Sequence, residues 1–317
     1  MLSSLCQDIV LEDYSETGRK RPWRAKKLAN EMLAIAYNEI DIKKAERLKD
    51  CATELTYSYD PITGRKKLKS ANFCRVRLCP MCQWRRALKT YIHMVKIYNA
   101  VEADRPRGYL FLTLTMRNVP LNQLNDSLDK LSIALKKLMG YAKVKQSIKG
   151  WYRGVEITHN KMTDTFHPHV HLLLCTNKRY FKSNEYIKQS EWVELWKKAL
   201  QVDYTPIVDI RRVKGDIGKA VAECAKYTVK ESTLIHPDDW DLTIDTVRAL
   251  DKILNKRRFI GYGGIFKDWH KRLNLDDEEN GDLIHVEAEE QPAIELDPII
   301  VYTWRTGYSQ YIADVNR

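Results

Sequence analysis

The sequence contains no long apolar segment. No apolar run follows Met1, and no stretch of about 18 apolar residues occurs in the 317-residue chain, so we predict neither a secretory signal peptide nor a membrane-spanning helix. Internal repeats and low-complexity tracts are also absent. The length allows one large domain or two to three smaller ones. We expect a cytoplasmic protein.

Acidic residues are concentrated in one segment. Ten carboxylates and no Lys or Arg lie between Asp276 and Asp297. Without these ten charges, the formal net charge of +11 becomes +21 for the remaining residues. Such a strongly positive charge on the rest of the chain favours nucleic acid as a partner. A solvated basic surface without a partner is the alternative. We interpret residues 276–297 as a solvated linker, or else as a segment that covers a DNA-binding groove and inhibits it.

Disulfides are not expected among the seven cysteines, because the chain has no secretion signal. The stretch FCRVRLCPMCQWRR instead places Cys74, Cys79 and Cys82 at the spacing of metal ligands. Cys51 is the natural fourth ligand, with His93 in reserve. A closed site of four cysteines is structural, so we predict Zn²⁺; reduced, buried thiols are the alternative. The isolated cysteines are expected to be buried: Cys6, Cys175 and Cys224.

Basic residues surround these cysteines and, with Trp84, predict a face suited to phosphate contact and base stacking. They are Arg75, Arg77, Arg85 and Arg86. A later glycine-rich stretch, GYGG, follows Arg257 and Arg258, which are further candidate DNA contacts. We expect GYGG to be a loop that approaches the DNA backbone or a plain turn.

Three strands and a helix are predicted in the middle of the chain. The strands are YLFLTLTM (residues 109–116), WYRGVEITHN (151–160) and HPHVHLLLC (167–175), and the helix covers residues 121–140. This order indicates an α+β fold, in which an antiparallel sheet carries helices on its faces.

The regions on each side of this middle part differ from it in composition. Residues 1–100 are basic and helical in pattern and contain the spaced cysteines. Residues 236–317 combine the glycine-rich stretch, the acidic segment and an aromatic tail, which we expect to be packed. We therefore predict three domains, with the middle one covering residues 101–235.

Two histidines share one face of a predicted strand. His169 and His171 are two residues apart, whereas Val170, Leu172 and Leu174 point to the opposite side, into a core. Two imidazoles on an apolar-backed strand form a metal-ligand pair with open positions for a substrate phosphate. Partly exposed histidines without a ligand are the alternative interpretation.

Glu156 is the best candidate for an oxygen ligand beside these histidines. It shares their face if it pairs across the strands with His169 or His171, but the sequence does not determine the register. His167 is the alternative, as a third ligand or a supporting group. Two histidines and a carboxylate suit Mn²⁺ or Mg²⁺ when the substrate supplies phosphate oxygens.

A tyrosine follows on a predicted helix at residues 215–232, for which Asp216 is a plausible N-cap. Glu223 and Tyr227 are four residues apart, so they are neighbours on the helix surface. Lys226 and Lys230 can hold phosphates and lower the pKa of the phenol. A phenolate that attacks phosphorus would form a phosphotyrosine, which a water activated by Glu223 could release. An exposed tyrosine without a role is the alternative.

The combination of these motifs resembles the rolling-circle plasmid replication initiators of the Rep_1 class, within the HUH endonuclease superfamily. The likeness is carried by FCRVRLCPMC, FLTLTMRN, HPHVHLLL, ECAKYTVK and RRFIGYGGIFK, which together extend from about residue 45 to residue 270. The resemblance implies a bacterial host and a palm-type HUH sheet. It also implies a site-specific nick in single-stranded or hairpin DNA at the plasmid's double-strand origin.

The resemblance also implies roles for individual residues. His169 and His171 would be the metal-binding pair, and Tyr227 would be the nucleophile that stays linked to a 5′ phosphate. Lys230 stands at the lysine of the tyrosine motif, and Glu223 would direct the final hydrolysis, because no second tyrosine lies three or four residues from Tyr227. The free 3′ hydroxyl would prime a host polymerase while a host helicase unwinds the duplex. A monomer and a homodimer are both compatible with the sequence.

Two other functions are compatible with the same residues. A transposase or relaxase of the HUH superfamily would cut a different DNA with the same atoms. A zinc-dependent DNA-binding protein without catalysis would need the cysteines but not Tyr227.

Overall fold

The computed structural model describes residues 10–15, 17–60, 64, 66–215, 217–226, 228–286 and 298–314. The α-helices are α1 (Trp23–Asn38), α2 (Ile42–Asp50), α3 (Pro80–Asp104), α4 (Leu124–Gly140), α5 (Ala142–Ser147), α6 (Gln189–Leu200), α7 (Gly218–Cys224), α8 (Glu231–Leu234), α9 (Trp240–Leu254) and α10 (Ile265–Arg272). The strands are β1 (Glu54–Tyr59), β2 (Lys66–Ala71), β3 (Arg107–Thr115), β4 (Ile148–Asn160), β5 (Thr165–Asn177), β6 (Val208–Arg212), β7 (Ile260–Gly264), β8 (Ile299–Arg305) and β9 (Gln310–Ala313). None of the helices described is long and apolar enough to cross a membrane.

The chain forms two compact units. The first consists of Met1–Arg86, Leu234–Arg248 and Asp282–Arg317, and the second of Ala87–Thr233 and Ala249–Gly281. The three domains expected from composition stay a prediction, because compact units defined by contacts are not the same as functional domains.

The first unit contains a four-stranded antiparallel sheet with the order β2-β1-β8-β9. The N-terminal region, predicted to be helical in pattern, therefore contains strands β1 and β2 as well as helices. In β1, Leu55 and Tyr57 are buried while Glu54 is exposed, an alternation of period two that is typical of a strand. The aromatic tail is packed as expected, because it supplies β8 and β9, and Tyr302 and Tyr311 are buried in them.

The second unit contains a five-stranded antiparallel sheet with the order β6-β3-β5-β4-β7. The predicted strands correspond to β3, β4 and β5, and the predicted helix corresponds to a short 3-10 turn followed by α4. The expectation of antiparallel strands flanked by helices is thus confirmed. Because β5 lies at the centre of this sheet, it has a hydrogen-bonded neighbour on each side.

The two faces of the second sheet are covered differently. On one face, Val170, Leu172 and Leu174 are fully buried, which confirms the predicted apolar back of β5, and α4 contacts that strand. On the other face, Tyr152 and Leu173 belong to a core with residues of α3, α7 and α10. This second face also carries the histidines, further towards the start of β5.

The glycine-rich stretch forms the edge strand β7, so the predictions of a loop or a turn were wrong. Its residues pair with β4, with Gly263 opposite Trp151 and Gly264 opposite Gly150. A Cβ atom on Gly263 would lie 2.2 Å from the indole ring of Trp151. Glycine is required there because the neighbouring indole occupies the space of a side chain.

Candidate functional site

The sheet brings His169, His171 and Glu156 together. The register pairs Glu156 with His169 and Gly154 with His171, which meets the condition under which all three side chains share a face. The Oε2 atom of Glu156 lies 3.2 Å from Nε2 of His171 and 3.4 Å from Nε2 of His169. All three residues are buried.

The second nitrogen of each imidazole also has a neighbour. Nδ1 of His169 lies 3.1 Å from the carbonyl oxygen of His167, and Nδ1 of His171 lies 3.1 Å from the hydroxyl of Thr113. When a cation binds, a proton on Nδ1 of His169, donated to that carbonyl, leaves the lone pair of Nε2 for the cation, whereas without a cation Nε2 can donate to Glu156. These neighbours orient both Nε2 atoms towards Glu156.

Glu156 is held as an anion. Burial raises the pKa of its carboxyl group, but hydrogen bonds from His169 and His171 and from Lys230 outweigh this effect, and the pKa lies well below its usual range. Nζ of Lys230 is 2.9 Å from Oε1 of Glu156. The carboxylate is therefore charged at neutral pH and available as an oxygen ligand.

These residues fit a divalent cation. One ligand atom from each of Glu156, His169 and His171 lies within 4.8 Å of the others, and two imidazole nitrogens with one carboxylate oxygen are a common donor set for such ions. His167 is not part of this group; its ring stacks on that of His169 with centroids 5.1 Å apart. Burial, followed by the charge of His169, lowers the pKa of His167.

Tyr227, the predicted nucleophile, lies outside the described residues, as does the predicted N-cap Asp216. The residues after Tyr227 are attached to β4: the backbone N–H of Ile157 donates to the carbonyl of Thr228 at 2.7 Å, and Val229 forms a parallel bridge with Ile157. Lys230 follows and reaches Glu156. The sequence motif around the tyrosine thus continues directly into the histidine site.

A single helix over residues 215–232 was a wrong prediction. Helix α7 ends at Cys224, because Thr228 and Val229 form strand-like contacts with β4 instead of continuing the helix. Glu223, near the end of α7, is half-buried and forms an ion pair with Lys226.

Gly154 is a residue of this site that the motif analysis missed. It pairs with His171, and a Cβ atom at this position would lie 2.2 Å from the carbonyl oxygen of Cys224. The hydroxyl of Tyr152, on the same face, donates to that oxygen at 3.3 Å. A glycine inside a strand pattern is the signal for such a close approach of backbone.

Replacing Gly154 with alanine is expected to displace the end of α7 and to destabilise the fold by about 1–3 kcal/mol, the usual cost of overpacking. Urea unfolding of the second unit would measure the change. The control is Gly140→Ala at the end of α4, where an added Cβ meets nothing within 4 Å. Equal stability of the two variants would contradict the close packing of α7 on β4.

The four predicted zinc ligands also form a cluster. The Sγ atom of Cys51 lies 3.6 Å from that of Cys79 and 3.7 Å from that of Cys82, and the Sγ atoms of Cys74 and Cys82 are 3.8 Å apart. Zinc–sulfur bonds of about 2.3 Å in a tetrahedron place the sulfur atoms about 3.8 Å apart. The cluster therefore fits one tetrahedral Zn²⁺ ion, with Cys51 in the fourth position.

Buried polar groups support this cluster. The side chain of Lys27 is fully buried and donates to the carbonyl of Cys51 at 2.8 Å, and Asn30 accepts from the thiol of Cys79 at 3.2 Å. Hydrogen bonds from the three neighbouring thiols, followed by the charge of Arg86, lower the pKa of Cys82, whereas hydrogen bonds within the cluster and burial raise the pKa of Cys51 and of Cys79. A bound cation would favour the thiolate form of all four cysteines.

His93, Cys175 and Cys224 lie outside the cysteine cluster. His93, the reserve zinc ligand, lies 2.9 Å from Glu278 instead, and Cys51 takes the fourth place in the cluster. Cys175 and Cys224 are buried and isolated, as expected. Cys6 lies outside the described residues.

The arginines expected to contact DNA differ in exposure. Arg75 is exposed and Arg77 is half-buried. Arg85 is fully buried: it lies over the rings of Trp23, Phe73 and Trp84 and donates to the carbonyls of Leu283 and Ile284. Arg86 and Trp84 are also buried. Because its side chain is inaccessible to solvent, Arg85 cannot contact DNA in this conformation. It instead connects the aromatic rings with the backbone of Leu283 and Ile284 within the first unit.

The remaining basic candidates lie in the second unit. Lys226 and Arg258 are exposed, and Arg257 is half-buried. Arg257 forms an ion pair with Asp129 at 2.7 Å, Arg258 pairs with Asp277, and Lys226 pairs with Glu223. Exposed ion pairs of this kind are weak in water, so they can open when a phosphate competes for the arginine or lysine.

Comparison with known proteins identifies relatives that match most of the chain. A family model described as Replication protein, Rep_1, matches residues 65–312. A protein named Protein rep from Bacillus amyloliquefaciens is 43% identical, with 98% of this chain and 99% of the relative aligned. A Protein rep from Streptococcus pneumoniae serotype 2 (strain D39 / NCTC 7466) is 36% identical, with 96% of each chain aligned. No solved structure shows a significant match.

The fold and the site define an α+β protein with a buried histidine–carboxylate centre on a central strand and a separate cluster of four cysteines. The chain belongs to the Rep_1 class of plasmid replication initiator proteins, which confirms the resemblance drawn from the motifs. A replication initiator of this class binds plasmid origin DNA, in agreement with the basic composition.

Proposed function

We propose that the chain is a rolling-circle initiator that nicks one strand of its plasmid origin with Tyr227 as the nucleophile, in an HUH-type active site. The observation that supports this most directly is the joint position of Glu156, His169 and His171, with Lys230 bonded to the same carboxylate. A central antiparallel strand that carries the histidine pair, in a sheet covered by helices, is consistent with a palm-type HUH fold.

Glu156, His169 and His171 would hold Mn²⁺ or Mg²⁺, and the cysteine cluster would hold a structural Zn²⁺. When bound, the catalytic ion supplies Lewis-acid polarisation of the scissile phosphate and steadies the charge on the leaving oxygen. By holding the ion, the imidazole nitrogens and the anionic Glu156 would set the position of that phosphate relative to β4 and β5. Lys230 adds a positive charge 2.9 Å from Glu156, which favours approach of the DNA backbone.

The phenol oxygen of Tyr227 would attack phosphorus as its proton departs to solvent or a nearby base. A new oxygen–phosphorus bond forms, the bond from phosphorus to the 3′ oxygen breaks, and that oxygen takes the electron pair and then a proton. The products are a 5′-phosphotyrosine and a free 3′ hydroxyl. The hydroxyl would prime the host polymerase, with a host helicase unwinding the duplex.

Glu223 would act at the end of the cycle, as a general base that activates a water to release the linked strand. Glu223 is half-buried, pairs with Lys226, and stands four residues before Tyr227 in the sequence. The exposed Arg75, Arg258 and Lys226 and the half-buried Arg77 and Arg257 would contact DNA phosphates. Because such contacts release counterions, origin binding should weaken steeply as salt increases.

The direct test is Tyr227→Phe. The full-length protein is incubated with Mn²⁺ and labelled single-stranded oligonucleotides that tile the plasmid encoding it. The parent should produce a nick and a covalent adduct, and the variant should produce neither while it binds DNA as before. The control is Tyr308→Phe, because Tyr308 is an exposed tyrosine in the first unit.

Mass mapping of the DNA-linked peptide identifies the nucleophile directly. Linkage to residue 227 supports the proposal, and linkage to a different tyrosine overturns the assignment. A parent protein that binds origin DNA without any nick would indicate a DNA-binding protein without catalysis. Cleavage confined to the ends of a mobile element would indicate a transposase.

A further inference from the structure

The second unit contains another group of residues that could bind a metal ion, and none of them belongs to the proposed nicking centre. It consists of His93 on α3, His270 on α10 and Glu278 in the segment after α10. The Oε1 atom of Glu278 is 2.9 Å from Nδ1 of His93 and 3.0 Å from Nε2 of His270. The hydroxyl of Tyr262 donates to the same oxygen at 2.7 Å.

This group is largely removed from solvent. Glu278 and His93 are buried, and His270 is about four-fifths covered, with 18% of its side chain exposed. Burial raises the pKa of Glu278, but hydrogen bonds from His270, His93 and Tyr262 outweigh it and bring the pKa well below its usual range. Burial, followed by the charge of Glu278, raises the pKa of Tyr262, which therefore remains a neutral donor.

The buried carboxylate of Glu278 and the imidazoles of His93 and His270 together form a ligand set suited to a cation. One carboxylate oxygen offers about two lone-pair sites, yet His93, His270 and Tyr262 all converge on Oε1 of Glu278. With a cation between them, both imidazoles present lone pairs as ligands, and only Tyr262 needs to donate to the carboxylate. Buried charge is stable in proteins when it is paired or bound to a metal.

The geometry points to Zn²⁺ as the ion. Its bonds to histidine nitrogen and carboxylate oxygen are about 2.0–2.1 Å long, which places neighbouring tetrahedral ligand atoms about 3.3 Å apart. The separations of 2.9 and 3.0 Å around Glu278 require only a small opening to reach this value. Imidazole favours zinc over magnesium or calcium, which prefer oxygen ligands.

We propose that His93, His270 and Glu278, with a water molecule as the fourth ligand, form a second zinc site that anchors the start of the acidic segment. The neighbours of Glu278 in this segment are bound as well: Asp276 pairs with Lys89, Asp277 pairs with Arg258, and Glu279 accepts from the backbone N–H of Phe259 at 3.1 Å. The ion would connect this segment to α3 and α10. The proposal is independent of the nicking activity.

The test measures bound zinc in full-length protein with His169→Ala and His171→Ala, so that the proposed nicking centre contributes no ion. After gel filtration, elemental analysis should give about two zinc ions per chain. Adding Glu278→Gln or His93→Gln should reduce this to about one, the ion of the cysteine cluster. The added control His285→Ala removes an exposed histidine of the first unit and should leave the zinc content unchanged.

X-ray absorption at the zinc edge keeps the test independent of how the variants fold. Two sites of different chemistry should give an average shell of about two sulfur and about two nitrogen or oxygen atoms, whereas the cysteine cluster alone gives about four sulfur atoms. One zinc ion per chain in the protein with His169→Ala and His171→Ala, or an all-sulfur shell, would overturn the proposal and leave a hydrogen-bonded network. Retention of both ions in Glu278→Gln and His93→Gln would overturn it equally.

Discussion

Replacement of His171 with alanine is expected to reduce origin nicking by about a thousandfold or more. The imidazole is one of two nitrogen donors in the proposed centre, and its Nε2 atom lies 3.2 Å from Glu156. Metal polarisation of a phosphate contributes several kcal/mol to transition-state stabilisation. A loss of about 4 kcal/mol corresponds to about a thousandfold in rate. His169→Ala should have a similar effect, because it removes the other nitrogen.

Single-turnover nicking of a labelled origin oligonucleotide in Mn²⁺ measures this effect. DNA binding should change little, because phosphate contacts elsewhere on the basic surface provide most of the affinity. The control is His285→Ala, because His285 is exposed and belongs to the first unit. A His171→Ala protein that nicks at the parental rate would refute the metal-binding role, even if Tyr227 were confirmed as the nucleophile.

The second large effect is expected at the cysteine cluster. Cys79→Ala should unfold much of the first unit, because the side chain of Cys79 is fully buried and the three other cysteines of the proposed zinc site converge beside it. Structural zinc sites contribute about 10–16 kcal/mol of apparent binding free energy in small zinc domains. This free energy is as large as, or larger than, the total free energy of unfolding of a typical domain, which is about 5–15 kcal/mol.

Circular dichroism and zinc content would measure the loss together. Cys79→Ala should release the ion of this cluster and lower the melting temperature, and chelators should do the same to the parent. Cys175→Ala is the matched control: this thiol is isolated in the core of the second unit, where burial raises its pKa to about 12. Equal zinc content in Cys79→Ala and the parent would show that the four sulfur atoms do not hold the ion.

Local patterns were sufficient to predict the middle of the fold. β3, β4, β5 and α4 were found because strand alternation and helical period are properties of neighbouring residues. The grouping of the four cysteines was also predicted from the sequence, because three of them lie within nine residues and Cys51 was the nearest remaining cysteine upstream. The family was also evident from the order of the motifs alone.

Long-range pairing could not be obtained in this way. Helix α7 ends early because Thr228 and Val229 pair with β4, about 70 residues earlier in the chain. The sequence around α7 does not show that these residues bond to a distant strand and not to the helix. The burial of Arg85 has the same origin, since its acceptors, Leu283 and Ile284, lie almost 200 residues away. GYGG became a strand because the edge of β4 was free to pair with it.

The sequence by itself determined which residues share a face of β4 and β5: His169 and His171 lie on one face of β5 opposite Val170, Leu172 and Leu174, and Glu156 alternates with Val155 and Ile157 in β4. It also showed that three of the cysteines lie within nine residues. Only the tertiary structure decided the register that places Glu156 opposite His169, and the meeting of His93, His270 and Glu278. Periodicity is set by backbone geometry over a few residues. Register and distant contacts are set by the packing of whole elements, whose free energy depends on all of them together.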